Sequence, residues 1–401
     1  MTMLFRICLC LLCLQVTVLA QQGAVPGHTA VRAEQIPASP TKDPALVLRP
    51  AQKPVNAEGR IQLDVVVTGK REGPVRELEL KDFTVLDNKK TQNIVAFREI
   101  DGYSKAVDQP VQVILLLDLV NSTFEQAGVA RTQIAKFLEQ NGGHLAYPTS
   151  IMVLSEEGLR IQPRPSTDGN ALVGVLGQAN ATTRSAGLGA IGRFQLSVRA
   201  LASIAENETK SPGRKILIWT GPGWPMLVGS NFGSSSQDRQ RAFDTIVEIS
   251  TRLREAHIAL YSISLMGSPN AATSGIVSQP HGGLMPAGEV PQQSAAGPIM
   301  SNTAEGGSYK DFVRGVKSAR QADSGNLALQ VFAVQSGGRV LDPSNDLAAQ
   351  IANCVGDLSV FYTLSFDPAH ADHPDDYHDL KVQIDRPGLE ARTNTGYYNQ
   401  P

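Results

Sequence analysis

The segment Val111-Gln112-Val113-Ile114-Leu115-Leu116-Leu117 runs into Asp118-Leu119-Val120-Asn121-Ser122, and it constrains the fold more than any other stretch of the chain. A run this rich in Val, Ile and Leu is a strand buried on both faces, the mark of a central strand in a parallel sheet covered by helices. Such sheets bind ligands outside the carboxyl ends of their strands. Asp118, with Asn121 and Ser122 behind it, therefore sits where a ligand would meet the sheet. After it, Phe124, Ala127, Ala130, Ile134, Phe137 and Leu138 recur at helical spacing.

The alternation of strand and helix continues downstream. Segments 151–154 and 159–161 flank Ser155-Glu156-Glu157-Gly158, a hairpin that places one antiparallel strand at the sheet edge. Helices are expected over about 169–178, 194–208 and 237–256, with buried strands over 215–220 and 258–263. Segment 327–335 and the turn Ser336-Gly337-Gly338-Arg339-Val340 complete the pattern, and a helix over about 345–357 leads out of it. This rhythm predicts an α/β fold with a doubly wound, mostly parallel sheet.

A different period governs the flanks. Ile61, Leu63, Val65 and Val67 alternate, and short apolar runs follow at 78–80, 83–86 and 94–97. Beyond the α/β stretch, Leu358, Val360, Tyr362, Leu364 and Phe366 alternate, as do Leu380, Val382 and Ile384. Neither group of strands covers its own apolar face, so both ends are expected to build one small, discontinuous β-sandwich from 56–105 and 358–401. The α/β domain, 106–357, is then an insertion into that sandwich. A chain of 401 residues exceeds one ordinary core, which fits two domains.

Residues 1–20 read as a signal peptide, with Arg6 ahead of an apolar run and Val18-Leu19-Ala20 at its end. The run is short for a bilayer span, so cleavage stands ahead of anchoring by an uncleaved segment or by a lipid on Cys13, and no transmembrane span is expected in the mature chain. Closely spaced prolines make 21–55 a disordered Pro/Ala-rich linker. Removing the signal leaves Cys354 as the sole cysteine, which rules out an internal disulfide and predicts a small buried side chain. A formal charge of −2 provides no basic stripe for nucleic acid. Segment 267–307 is a nearly uncharged Gly, Pro, Ala and Ser stretch, expected as a flexible loop.

Several segments together resemble the von Willebrand factor A-related proteins of the acidobacterial secreted type. They are Leu80-Lys81-Asp82-Phe83-Thr84-Val85, the Asp118 motif, Gln335-Ser336-Gly337-Gly338-Arg339, Phe361-Tyr362-Thr363-Leu364-Ser365-Phe366-Asp367-Pro368, and the ending from Arg386-Pro387-Gly388-Leu389 to Gly396-Tyr397-Tyr398. The resemblance covers about 60–399 and implies a metal-ion-dependent adhesion site. That family's first motif is Asp-x-Ser-x-Ser, which here reads Asp118-x-Val120-x-Ser122. Its Thr-Asp-Gly turn reads Thr220-Gly221-Pro222-Gly223, so the second carboxylate is absent. What the resemblance implies is Mg²⁺ or Mn²⁺ on Asp118 and Ser122 with a loop hydroxyl from Thr182, Thr183 or Ser185, of which Thr183 stands as the candidate ligand. With one carboxylate left, the expectation is a degenerate site of weak or lost metal dependence and no resident cofactor. The competing reading of Asp118 and Ser122 is that they cap the next helix and bind loop amides.

The function expected is a secreted or periplasmic, cell-envelope binding module of the adhesion type. It would engage a protein or cell-surface ligand without catalysis, through a rim of Asp118, Asn121, Ser122, Thr220 and Trp224. Trp224 is either an aromatic anchor or a side chain packed under its own loop. Two alternatives stand beside this: a structural component of an envelope assembly, or a hydrolase using the cluster His370-Ala371-Asp372-His373-Pro374-Asp375-Asp376-Tyr377-His378-Asp379. Those residue types ligate Zn²⁺ or Ca²⁺, but their place between two strands equally describes a solvated hairpin tip. The chain contains no Gly-x-Ser-x-Gly, His-Glu-x-x-His or phosphate-binding Gly-Lys-Ser/Thr motif.

Overall fold

A computed structural model of the protein describes residues 34–37, 59–69, 73–104, 110–162, 164–178, 188–224, 235–266, 308–371 and 373–399. The signal segment 1–20, most of the linker 21–55, the loop 267–307, the hydroxyls Thr182, Thr183 and Ser185, and Asp372 lie outside the described residues. The strands are β1 (Glu34–Pro37), β2 (Ile61–Thr68), β3 (Phe83–Asp87), β4 (Lys90–Gln92), β5 (Ile94–Asp101), β6 (Val111–Asp118), β7 (His144–Ser155) and β8 (Gly158–Ile161). They continue with β9 (Ser166–Asp168), β10 (Arg214–Thr220), β11 (Ile258–Ile263), β12 (Arg339–Val340), β13 (Val360–Phe366), β14 (Asp376–Ile384), β15 (Glu390–Arg392) and β16 (Gly396–Asn399). The helices are α1 (Phe124–Leu138), α2 (Gly169–Gly177), α3 (Ala190–Glu208), α4 (Ser236–Glu255), α5 (Leu329–Gln335) and α6 (Leu347–Gly356).

The apolar run forms the middle of a sheet ordered β1-β8-β7-β6-β10-β11-β12, with β9 paired to β7. β6 runs parallel to β7 and to β10, and β11 and β12 continue in the same direction. Both faces of β6 are covered. Ile114 and Leu116 pack with Phe194 and Leu201 of α3 and Ile246 and Leu253 of α4, whereas Val113, Leu115 and Leu117 pack with Ala130 and Ile134 of α1 and Ile351 and Cys354 of α6. Each buried Val, Leu, Ile or Phe among them contributes about 1.5–3 kcal/mol relative to exposure. The result is the doubly wound, mostly parallel sheet that the run predicts. Burial pushes the Cys354 thiol up to about 12, which leaves it inert.

Two features depart from expectation. Glu34–Pro37 of the proline-rich linker pairs antiparallel with β8 at the sheet edge, from Glu34 opposite Ile161 to Pro37 opposite Gly158. Pro37 closes the strand on an edge, where a missing N–H is tolerated. Phe124, expected on the buried face of α1, is 68% exposed. The capping box Thr123/Gln126 starts the helix immediately before it, so Phe124 falls in the first turn, ahead of the buried face that begins at Ala127.

Two antiparallel sheets, β15-β2-β13-β5 and β16-β14-β3-β4, draw their strands from both sides of the α/β segment. Leu63, Val65, Val85, Leu364, Phe366 and Val382 fill the space between them. They meet the α/β sheet at the amino ends of its strands. The ring of Phe361 lies under the Arg214 guanidinium at 4.6 Å, and His257 Nδ1 is 3.1 Å from Asp64 Oδ2. Burial disfavours charge on Asp64, but His257, Arg214 and Lys215 more than offset it and hold its carboxyl below the usual value. The turn Gly337-Gly338 is fixed by close approach. A side chain on Gly338 would meet the Leu260 carbonyl oxygen at 1.8 Å, and one on Gly337, at φ +79°, would meet the Thr393 backbone at 2.7 Å.

A carboxylate clasp closes the junction. Asp357, where α6 leaves the α/β domain, accepts from Tyr261 Oη at 2.7 Å and Arg392 Nη2 at 2.7 Å, with Arg339 Nη2 at 3.3 Å. Arg392 belongs to β15, so one buried side chain ties the edge of the sandwich to β11 and β12.

The α3–α4 face carries a pH-sensitive carboxylate. Burial pushes Glu248 up to about 7; the pull of Arg252 Nη2, 2.6 Å away, does not cancel it, and Glu206 adds like charge. A raised carboxyl means that the folded chain binds more protons than the unfolded chain between about 4.5 and 7, so stability rises as pH falls through that window. Glu248→Gln is expected to raise Tm at pH 8 and to flatten the dependence of Tm on pH between 5 and 8. Calorimetry across that range checks it, and an unchanged slope would rule the assignment out.

Candidate functional site

The carboxyl ends of β6, β10 and β11 bring the expected rim residues together, but as a closed cluster. Asp118 is fully buried, and Asn121, Ser122 and Thr220 are buried beside it. Asp118 Oδ1 accepts from the Asn121 amide at 3.0 Å, and Oδ2 accepts from Asn121 Nδ2 at 2.8 Å and from Trp219 Nε1 at 2.9 Å. Asn121 Nδ2 also donates to Ser197 Oγ of α3 at 3.0 Å. Burial raises the Asp118 carboxyl above its usual range; bonds from Asn121, Trp219 and the Val120 amide oppose that and do not overcome it. The reason is that every donor to it is neutral.

Trp224 does not line a rim. It is 1% exposed, its Nε1 donates to the Leu327 carbonyl at 2.8 Å, and its ring meets Trp219 edge-on, with centroids 5.2 Å apart and planes at 75°. Its place is behind Trp219, as a packing residue. The helix-cap reading of Asp118 and Ser122 is likewise corrected, since Thr123 is the cap of α1. Asp118 does bind a loop amide, that of Asn121.

The described residues do not fit the Mg²⁺ or Mn²⁺ that the resemblance implies. A carboxylate offers about four acceptor positions, and protein donors already take those of Asp118. Val120 contributes only hydrocarbon. A side chain on Gly221 would meet Asp118 Cβ at 2.8 Å, so a second carboxylate has no room where the family places one. Thr220 Oγ1 and Asn121 Oδ1 are buried oxygens without a hydrogen-bond partner, and with the acceptor positions of Asp118 taken two neutral oxygens do not hold a dication.

Among the described residues just beyond β6 and β11, two large apolar side chains are exposed. Phe124 at the start of α1 and Met266 just beyond β11 are 68% and 63% exposed. Sequence reasoning missed both: the period of α1 assigned Phe124 to the core, and Met266 borders an undifferentiated loop. The His/Asp segment does not converge either. His370 and His373 are exposed, while His378 is buried on β14 with Nδ1 2.8 Å from Asp87 Oδ1. Tyr397 Oη donates to Asp87 Oδ2 at 2.8 Å, and its ring stacks on the imidazole at 4.8 Å. That trio cross-links β3, β14 and β16. His378 Nε2 has no hydrogen-bond partner and lies 3.6 Å from Asp376 Oδ2, while the hydroxyl that meets the ring is that of Tyr397, 3.1 Å from Nδ1. Among the described residues no group of three His, Cys, Asp or Glu side chains is placed to hold a metal ion.

No protein-family model and no curated protein matches the chain. Among solved structures it is similar to a human COPII-coat protein at 8% identity, covering 76% of this chain and 46% of that one with a TM-score of 0.34. It is similar to the manganese-loaded TRAP protein of Plasmodium vivax at 11% identity, covering 75% and 97% with a TM-score of 0.30. The pilus adhesin SpaC of Lactobacillus rhamnosus GG is similar at 10% identity, covering 82% and 49% with a TM-score of 0.33. The chain thus spans about half the length of the coat protein and of the adhesin. At these identities and scores, no role passes from those proteins to this one. No described helix is long and apolar enough to cross a membrane.

Proposed function

We propose that this chain is a secreted or envelope-located binding module of the adhesion type. Its α/β domain, of the von Willebrand factor A-like kind, engages a protein or cell-surface ligand with the rim at the carboxyl ends of β6 and β11, without catalysis. The observation that carries the reading is the pair Phe124 and Met266, two large apolar side chains left in solvent, one following β6 and the other following β11. Exposed apolar groups rimmed by polar ones are a common form of protein-binding surface. In this reading Asp118, Asn121 and Thr220 hold the rim in shape, and the contacts come from outside them.

A photo-crosslinking amino acid at position 124 or 266 tests this in envelope and secreted fractions of the source cells, with position 95 of the sandwich as control, since Val95 is also exposed. The expected result is one saturable adduct from 124 and 266, competed by unlabelled protein and reduced at least tenfold when the remaining member of the pair is serine. Equal labelling from 95, or no saturable adduct from the rim, would remove the proposal. A hydrolase reading would return only if His378→Gln abolished a hydrolytic activity without altering Tm.

A further inference from the structure

We propose that Trp219 is a built-in replacement for a cation at Asp118, an indole donor that holds the rim in one state irrespective of Mg²⁺ or Mn²⁺. Trp219 is the penultimate residue of β10, beside β6, and its Nε1 lies 2.9 Å from Asp118 Oδ2. The oxygen it takes also accepts from Asn121 Nδ2, so nothing on that atom is left for an incoming ion. The indole is not free to swing aside. It is fully buried, Trp224 braces its ring, and Trp224 is itself pinned to the Leu327 carbonyl at 2.8 Å.

The bond joins the ends of two adjacent strands across 101 residues of sequence and aligns them without any outside ligand. A dication would have to break two hydrogen bonds to Oδ2 and shed its own water for a single carboxylate. Thr220 Oγ1, on the residue after Trp219, and Asn121 Oδ1, on the residue that donates to the same carboxylate, are buried oxygens without a hydrogen-bond partner. Removing the Trp219 donor frees a lone pair on Asp118 Oδ2, so of the donors on that carboxylate the indole is the one whose loss opens it to a cation.

The chain has two tryptophans, and both belong to this cluster, so its emission reports on the cluster directly. The full chain is treated with EDTA, then titrated with MgCl₂ and with MnCl₂, whose paramagnetic ion quenches a nearby indole. Wild type is expected to show no saturable change in emission and a Tm moved by less than 1 °C. Trp219→Phe, checked by circular dichroism, is expected to gain saturable Mn²⁺ quenching of Trp224 and a Tm rise of several degrees. Both should vanish when Asp118→Asn is added. If Trp219→Phe does not fold, Trp224→Phe leaves Trp219 as sole reporter and should stay unquenched. Saturable, Asp118-dependent quenching in wild type or in Trp224→Phe would overturn the proposal, as would a folded Trp219→Phe that ignores both metals.

Discussion

Asp357→Ala is expected to destabilise the protein by about 3 kcal/mol, lowering Tm by roughly 5–10 °C. The carboxylate is buried and receives Tyr261 Oη and Arg392 Nη2 at 2.7 Å each, with Arg339 Nη2 at 3.3 Å. Removing it leaves two guanidiniums facing one another across a site with no anion. Both arginines keep partial access to water, at 35% and 21% side-chain exposure, which holds the cost at the lower end of the range for broken buried pairs. The Tyr261 ring, flanked by both guanidiniums at 5.8 and 5.7 Å, retains some attraction for them. Because the clasp spans the junction, calorimetry of the variant should also resolve two transitions where wild type shows one. Asp357→Asn, which still accepts from one donor, should fall between. A change in Tm below 2 °C with a single transition would show that the clasp carries no weight.

Asp118→Ala is expected to cost about 2–4 kcal/mol, since the Trp219 indole and the Asn121 amide lose their acceptor inside the protein. Asp118→Asn should cost less than alanine, but not nothing. Its single oxygen replaces one acceptor, and its amide points at donors. The sign of the pH dependence follows from the raised carboxyl. A folded state that favours the protonated acid gains stability as pH falls from the raised value toward the ordinary one of about 4, so the gap between wild type and Asp118→Ala should widen on acidification. Urea unfolding at pH 5 and pH 8 measures it. A gap that narrows at pH 5 would contradict the assignment of burial as the dominant influence on Asp118.

Much of the layout was legible because it rests on hydrophobic period. The eight residues Val111–Asp118 alternate between two helical layers, and that is readable from composition alone. The strand Ile258–Ile263 and the Ser155–Gly158 hairpin follow the same rule, with β7 and β8 antiparallel as the turn residues require. The site was legible only as a place. Asp118, Asn121 and Ser122 are neighbours in sequence, so their proximity was given. The Trp219 bond was not, because it depends on the register of β10 against β6, where Trp219 lies opposite Leu116 and Thr220 opposite Leu117. Of the two readings of Trp224, aromatic anchor or packing residue, the structure bears out the second. Its sequence context left the choice open, because the partner that buries it, Trp219, is reached only through the fold. Phe124 was an error, because a one-residue offset at a helix start decided whether an apolar side chain met the core or the solvent.

The sandwich joins the α/β sheet at the amino ends of its strands, and the proposed contact surface lies at their carboxyl ends. A ligand held by Phe124 and Met266 while the sandwich is restrained would therefore pull along β6, β10 and β11 and not across them. Under such a load the parallel ladders are strained in shear, their bonds sharing the force and yielding together. On the proposed reading, tension from a bound partner would run along the strands, the direction in which parallel ladders share the load.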